Sequence, residues 1–410
     1  MSRALSYKTT NQVPVGFYFA IFILFITSMG CWIGWMGRAK YIYIAALILL
    51  LISLYNYYFI KFDLSKKNVI LTFILCASSV IFDELKIEKI GSFIVYFVIC
   101  CLHEKYQKQC LNYIFRWFAW MMIPSIIVYS LVQMGIMPSF GNINVYDNDT
   151  YGFYQAGYIT RKQYYIYCYS SFYNIRFNGP FIEPGHLGMM SAFLIYADGF
   201  QFNKKETYIL LLTIILSMSL AGYVLCFASY LFLKFEKKEL KFRFIVLFFL
   251  GTLTLYLFGT LYNEGDNLLN ELIISRLEYD EDKGFTGNNR VFGKIDMYFA
   301  AMFNDTNIML FGYKKEILEY LAWNHSRGTG LIMCMVAHGL IGTIAGITFY
   351  IASYLYAENK KTALMFLIFV FMLYWQRTYP FWFSWLICFV FGIANRSNVL
   401  YENRNINIPS

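Results

Sequence analysis

The sequence predicts an all-α polytopic membrane protein with about twelve transmembrane helices and two long polar loops on one side of the membrane. Three observations carry this. Only 14% of the residues are charged and 59% are hydrophobic, where a soluble domain carries roughly 25% charged residues. Apolar stretches approaching the ~20 residues that cross a ~30 Å hydrocarbon core recur from Val15 almost to the C-terminus. Lysine and arginine gather in the connections of one side. No stretch is left over for a separate soluble unit, so 1–410 reads as one integral membrane domain.

In order, the segments fall at about 15–36, 41–60, 68–82, 90–102, 111–137, 187–202, 207–219, 221–234, 244–262, 328–356, 362–376 and 382–395. The first is too long and uninterrupted for a cleavable signal peptide. The third and fourth are short for full spans. The run 207–234 is too long for one straight span; it is divided near Ser219–Gly222, where the sequence SMSLAG offers a small-residue turn. With the N-terminus inside, the inner connections hold eighteen lysines and arginines and the short outer ones hold five, Arg377 among them. That bias puts both termini in the cytoplasm.

Two outer loops result, about 138–186 and 263–327. Loops of this length are uncommon unless functional or disordered. The first is dense in tyrosine, which disordered segments are not, and the alternation Tyr165, Tyr167, Tyr169 suits a short strand. Its aromatic residues suit an interfacial belt or a rim on which sugar rings stack. The formal charge of +9 lies in short runs between apolar segments and forms no stripe that would grip nucleic acid. Nine cysteines contain no CxxC pair, and most sit inside apolar segments as small hydrophobes. There is no internal repeat.

Charges within the spans are few: Arg116 and Asp198, both near inner ends, and the titratable His338. A more pointed pattern is Arg176 to Gly188, where a polar loop meets an apolar helix. Pro184 restricts Glu183 before it, and Gly185 and Gly188 allow close backbone approach. Glu183 is either a held functional carboxylate or an ordinary acidic N-cap.

The pattern R-x-x-G-x-x-x-E-P-G at Arg176, Gly179, Glu183, Pro184 and Gly185 resembles the bacterial O-antigen polymerases of the Wzy type, relatives of the O-antigen ligases. Further pieces follow in order: Ser217-Met-Ser219-Leu-Ala-Gly222, Arg290 in the second long loop, LFGY at 310–313, NHSRGTG at 324–330 and HGLIG at 338–342. Many relatives show Ser-Arg where this chain has Ser219-Leu220, and a glycine where it has Lys314. The resemblance covers about residues 110–395. It implies a metal-independent, cofactor-free glycosyltransferase of GT-C-like architecture in the bacterial inner membrane. Donor and acceptor would both be oligosaccharides on undecaprenyl diphosphate, with membrane lipids and a chain-length regulator protein as further partners. An O-antigen ligase or a lipid-linked oligosaccharide flippase are the alternatives. A flippase would concentrate polar groups at the midplane, whereas this chain keeps its arginines and Glu183 in outer loops.

The chemistry expected of such a site is compatible. A departing diphosphate calls for cations, and arginine grips phosphate with a fork that stays charged; Arg176, Arg290 and Arg327 are the candidates. Gly179, Ser219 and Tyr313 lie in the same motifs and are expected to border the diphosphate. The acceptor hydroxyl needs a base, and His325 or Glu183 could serve. His325 titrates near neutrality without tuning. A nearby arginine would keep Glu183 ionised, which suits it to hold Arg176. The expected division is His325 as base and Glu183 as the group that holds the arginines. Glu183, His186 and His325 lack tight metal-ligand spacing.

Overall fold

The computed structural model describes residues 15–31, 38–56, 60–82, 89–137, 139, 142–146, 158–164, 167–169, 175–181, 183–239, 242–267, 270, 274–275, 279–280, 284–285, 294–323, 330–377 and 379–405. Within them are α1 (Val15–Thr27), α2 (Ala39–Asn56), α3 (Lys66–Phe82), α4 (Lys89–Cys101), α5 (Glu104–Gln133), α6 (Pro184–Asp198), α7 (Lys205–Ser217), α8 (Leu220–Glu236) and α9 (Phe242–Leu261). Then come α10 (Ile295–Ala301), α11 (Thr306–Phe311), α12 (Lys315–Trp323), α13 (Gly330–Tyr356), α14 (Lys360–Gln376) and α15 (Phe383–Asn405). A helix lies on each of the twelve apolar segments. The three additional helices, α10 to α12, fall in the second long loop.

Three of these helices, α2, α5 and α13, are long and apolar enough to cross a membrane by length and composition; α1, α4 and Phe383–Arg396 are shorter apolar helices. Their outward faces are apolar in a helical rhythm. On α14, Leu364, Ile368, Phe371 and Trp375 are exposed, and on α2, Tyr41, Ile44, Ile48, Ile52 and Tyr55. A soluble helix turns such a stripe inward; here it faces out, as lipid requires. The chain is an all-α membrane protein.

The centre of the bundle is α6. All of its residues, Pro184 to Asp198, are buried, as expected of a helix that is apolar all round. It packs between α5, α7, α8 and α15. Proline at its first position fits the helix start, and Gly199, with φ 91°, closes its other end in the left-handed region that glycine tolerates. The division expected near Ser219–Gly222 occurs just ahead of it. Helix α7 stops at Met218, which is left-handed at φ 45°, and Ser219 caps α8, its Oγ accepting from the Gly222 N–H at 3.3 Å. Close approach fixes α6 against α8: a Cβ at Gly222 would lie 3.1 Å from the Gly188 Cα.

The described part of the tyrosine-rich loop forms strands, in keeping with its composition. Strands β1 (Asn142–Tyr146), β2 (Tyr158–Tyr164) and β3 (Tyr167–Tyr169) form an antiparallel sheet in that order. Tyr167 is buried against Tyr129 and Phe177. Tyr165 lies outside the described residues. A second, two-stranded pair, β4 (Tyr279–Asp280) and β5 (Gly284–Phe285), lies in the other loop.

Two of the motifs singled out in the sequence, LFGY and HGLIG, pack directly on each other. Helix α13 is kinked at Gly339 (φ 63°, ψ −171°), and the Tyr313 N–H donates to the Val336 carbonyl at 2.8 Å. A Cβ at Gly312 would stand 2.5 Å from the Ala337 oxygen, and one at Gly339 would stand 2.3 Å from the Leu310 oxygen. Only glycine admits this backbone-to-backbone contact.

Candidate functional site

The R-x-x-G-x-x-x-E-P-G stretch lies at the N-terminal end of the central helix. Glu183 is extended (φ −132°, ψ 140°) and occupies the N-cap position of α6, but its carboxylate makes no capping bond. Instead it pairs with the Arg377 guanidinium. The two side chains are 15% and 14% exposed, so the pair is sheltered but reachable. Arg377 ends α14, its backbone extended and its N–H donating to the Leu373 carbonyl at 2.8 Å. The first residue of α13 abuts it: a Cβ at Gly330 would lie 2.4 Å from the Arg377 nitrogen. A Cβ at Gly185 would come within 3.2 Å of Arg377 Nη2, so the guanidinium lies over the first turn of α6.

Arg176 enters the same junction from the other side. Its Nε donates to the Ser217 carbonyl at 3.1 Å, and the Phe177 N–H donates to the Leu216 carbonyl at 2.9 Å. These bonds use carbonyls that the end of α7 leaves without helical partners. Gly179 (φ 55°) makes the turn between Arg176 and Glu183. The starts of α6, α8 and α13 thus meet at one place, and helix N-termini carry partial positive charge. With Arg176 and Arg377 the junction is suited to an anion.

His186, in the first turn of α6, is buried with Nε2 4.0 Å from Glu183 Oε2. Its ring stands edge-on to Trp382 at 5.2 Å, and Trp382 stacks parallel on Tyr379 at 4.2 Å. These aromatic residues are half-buried.

Of the residues expected to act, Arg176, Gly179, Glu183 and Ser219 come together here. Glu183 is seen to contact Arg377 and His186. Ser219 uses its hydroxyl oxygen to cap α8 beside the site, its Oγ 3.9 Å from where a Gly185 Cβ would stand. Tyr313 belongs elsewhere: it is buried in a small core with Ile295, Met302, Leu321 and Val336, and its hydroxyl donates to the Tyr298 carbonyl at 2.8 Å. Burial raises the pKa of this phenol, keeping it a donor. Arg290, His325 and Arg327 lie outside the described residues. Sequence reasoning missed Arg377, His186, Tyr379 and Trp382. The signal for Arg377 was present, a cation followed directly by the aromatic run Thr378-Tyr-Pro-Phe-Trp382 at the end of an apolar segment. Among the described residues, no three His, Cys, Asp or Glu gather as a metal-ligand set.

The charged and titratable residues expected within spans have structural partners. Arg116 Nε lies 3.5 Å from Glu206, and His338 stacks on Phe82 at 4.1 Å. Asp198 receives Lys204 Nζ at 2.7 Å. Near it, at the C-terminal end of α6, Glu236 accepts from the Tyr196 hydroxyl and from Arg396, which also donates to the Tyr196 carbonyl at 3.3 Å. Comparison of the chain with protein-family models, characterised proteins and solved structures finds no significant match.

Proposed function

We propose that the chain is a surface-polysaccharide polymerase of the O-antigen polymerase type. It would be a GT-C-like enzyme with twelve spans (α1 to α9 and α13 to α15) and both termini in the cytoplasm of a bacterium with an inner membrane. The observation that carries the reading is the junction at the head of α6. There the glutamate of the E-P-G motif is held by an arginine, with a second arginine and three helix N-termini around it. This is the chemistry that binds a diphosphate, and the order of the motifs along the chain agrees with it.

In the reaction, a hydroxyl on the non-reducing sugar of the incoming lipid-linked unit gives its proton to a base and attacks the anomeric carbon of the growing glycan. The glycosyl–phosphate bond breaks, and undecaprenyl diphosphate leaves with the bonding electron pair. Arg176, Arg290 and Arg327 stabilise the charge that develops on it. Glu183 holds guanidinium groups in place, and His325 takes the proton. The Ser217–Gly222 turn and Gly179 shape the pocket wall, and Tyr313 braces the second loop. A chain-length regulator protein acts on this enzyme from outside the site.

The test is the glycan of a deletion strain. A polymerase defect leaves surface glycan of single repeat units, and the intact gene restores the ladder. Accumulation of long lipid-linked chains instead would point to a ligase. An unchanged ladder would remove the reading. For topology, a cysteine placed at Asn288 should react with an impermeant thiol reagent from outside; reaction only after the inner leaflet is opened would invert the orientation.

A further inference from the structure

The turn that carries Arg377 stands outside every motif that suggested a function, yet it supplies the partner of Glu183. We propose that Arg377 and the Tyr379–Trp382 stack form a glycosyl-phosphate subsite, the guanidinium receiving the phosphate and the aromatic surface receiving the attached sugar. The inference rests on the polymerase reading and extends it by giving Arg377 a ligand of its own and adding the aromatic stack beside it in sequence.

Three observations carry it. First, Arg377 is placed where a cation alone is disfavoured. Its Nη2 lies over the first turn of α6, within 3.2 Å of a Gly185 Cβ position, and its backbone abuts the first residue of α13. Both helix starts present positive partial charge. Arg176 adds a second guanidinium at the neighbouring end of α7. Glu183 is the carboxylate seen to contact Arg377, and a phosphate would be drawn to the same positive setting. Second, the pair is sheltered but not sealed, at 14% and 15% exposure. A fully exposed pair would bind a phosphate weakly, and a sealed one could not meet it. A guanidinium can serve a carboxylate and a phosphate from different edges of its fork. Third, an aromatic stack follows within five residues. Tyr379 and Trp382 lie parallel at 4.2 Å, each covering one face of the other, and the buried His186 ring stands edge-on to Trp382 at 5.2 Å. A half-buried aromatic stack in the same short segment as a cation matches a sugar ring attached to its phosphate: one half of the ligand is apolar on its C–H face and the other half is charged.

The experiment uses the full chain in detergent, titrated calorimetrically with farnesyl diphosphate and with a farnesyl diphosphate-linked hexose. The wild type should bind both, the hexose form more tightly. Arg377→Lys keeps the charge and loses the fork, and should weaken both about tenfold at an unchanged melting temperature. Trp382→Leu should abolish the advantage of the hexose form and leave farnesyl diphosphate affinity as it was. Equal affinity in wild type and Arg377→Lys overturns the subsite and leaves the polymerase reading standing. Failure of the wild type to bind either probe overturns the polymerase reading itself. Should Arg377→Lys not fold, phenylglyoxal modification of the wild type, mapped by mass spectrometry, decides. Protection of Arg377 by farnesyl diphosphate supports the subsite, and modification unchanged by bound probe overturns it.

Discussion

The two ends of α6 carry the same kind of interaction in two different settings. At its C-terminal end Glu236 meets Arg396, with side-chain exposures of 0% and 4%, and the Tyr196 hydroxyl completes the carboxylate. At its N-terminal end Glu183 meets Arg377 at 15% and 14%. The first pair is sealed among α6, α8 and α15, with Lys361 of α14 donating to the Phe235 carbonyl beside it at 2.5 Å. It fastens helix ends. The second lies at a mouth lined by helix starts, an arginine from a loop and a half-buried aromatic stack. Burial, more than the identity of the charged residues, separates a clamp from a candidate site: a sealed pair has no room for a ligand.

The comparison predicts unequal responses. The largest is at the sealed end. Arg396→Ala strands the Glu236 carboxylate in the core and should lower stability by about 3–5 kcal/mol, read as a large drop in melting temperature in detergent; a melting temperature like the wild type would mean that the clamp is not one. Next comes the open end. Arg176→Ala should insert and fold, yet lose about 10²-fold or more of polymerisation, because charge-assisted hydrogen bonds at roughly 1.5–3 kcal/mol are lost. Arg176→Lys should recover only part of it, and a normal ladder from the alanine variant at matched expression would exclude the residue. Between the ends, Gly222→Ala pushes α8 from α6, where its Cβ would lie 3.1 Å from the Gly188 backbone. Overpacking of this kind costs about 1–3 kcal/mol, and a neutral melt would show that the two helices have slack. The smallest response is to chelator. Excess EDTA should leave the proposed turnover by the purified protein unchanged, and loss restored by Mg²⁺ would assign the loop acids to a metal.

Hydropathy located the helices closely because lipid imposes one solvent on every span: 68–82 became Lys66–Phe82, and the turn expected near Ser219–Gly222 is the αL break one residue earlier, at Met218. It did not reveal α10 to α12, since α11 has six residues, too few for a helical period to register. Nor did it reveal that α6 is central, although Met189 to Ala197 is apolar on every side. The Glu183 end of the site was legible because proline, glycine and glutamate adjoin in sequence. Its partner was not, because Arg377 lies 194 residues away and only packing joins them. The tie between LFGY and HGLIG is likewise a backbone contact that no side-chain pattern encodes.

The most direct measurement compares Glu183→Gln with Glu236→Gln in the purified protein, recording melting temperature and turnover on a lipid-linked repeat unit for each. If one end is a site and the other a clamp, Glu183→Gln should melt near the wild type and lose about 10²-fold in turnover, a loss of the size that removing one essential positioned group produces. Glu236→Gln should melt well below it while each folded molecule turns over normally. The reverse pattern, or equal loss of stability in both with turnover per folded molecule intact, would contradict the account.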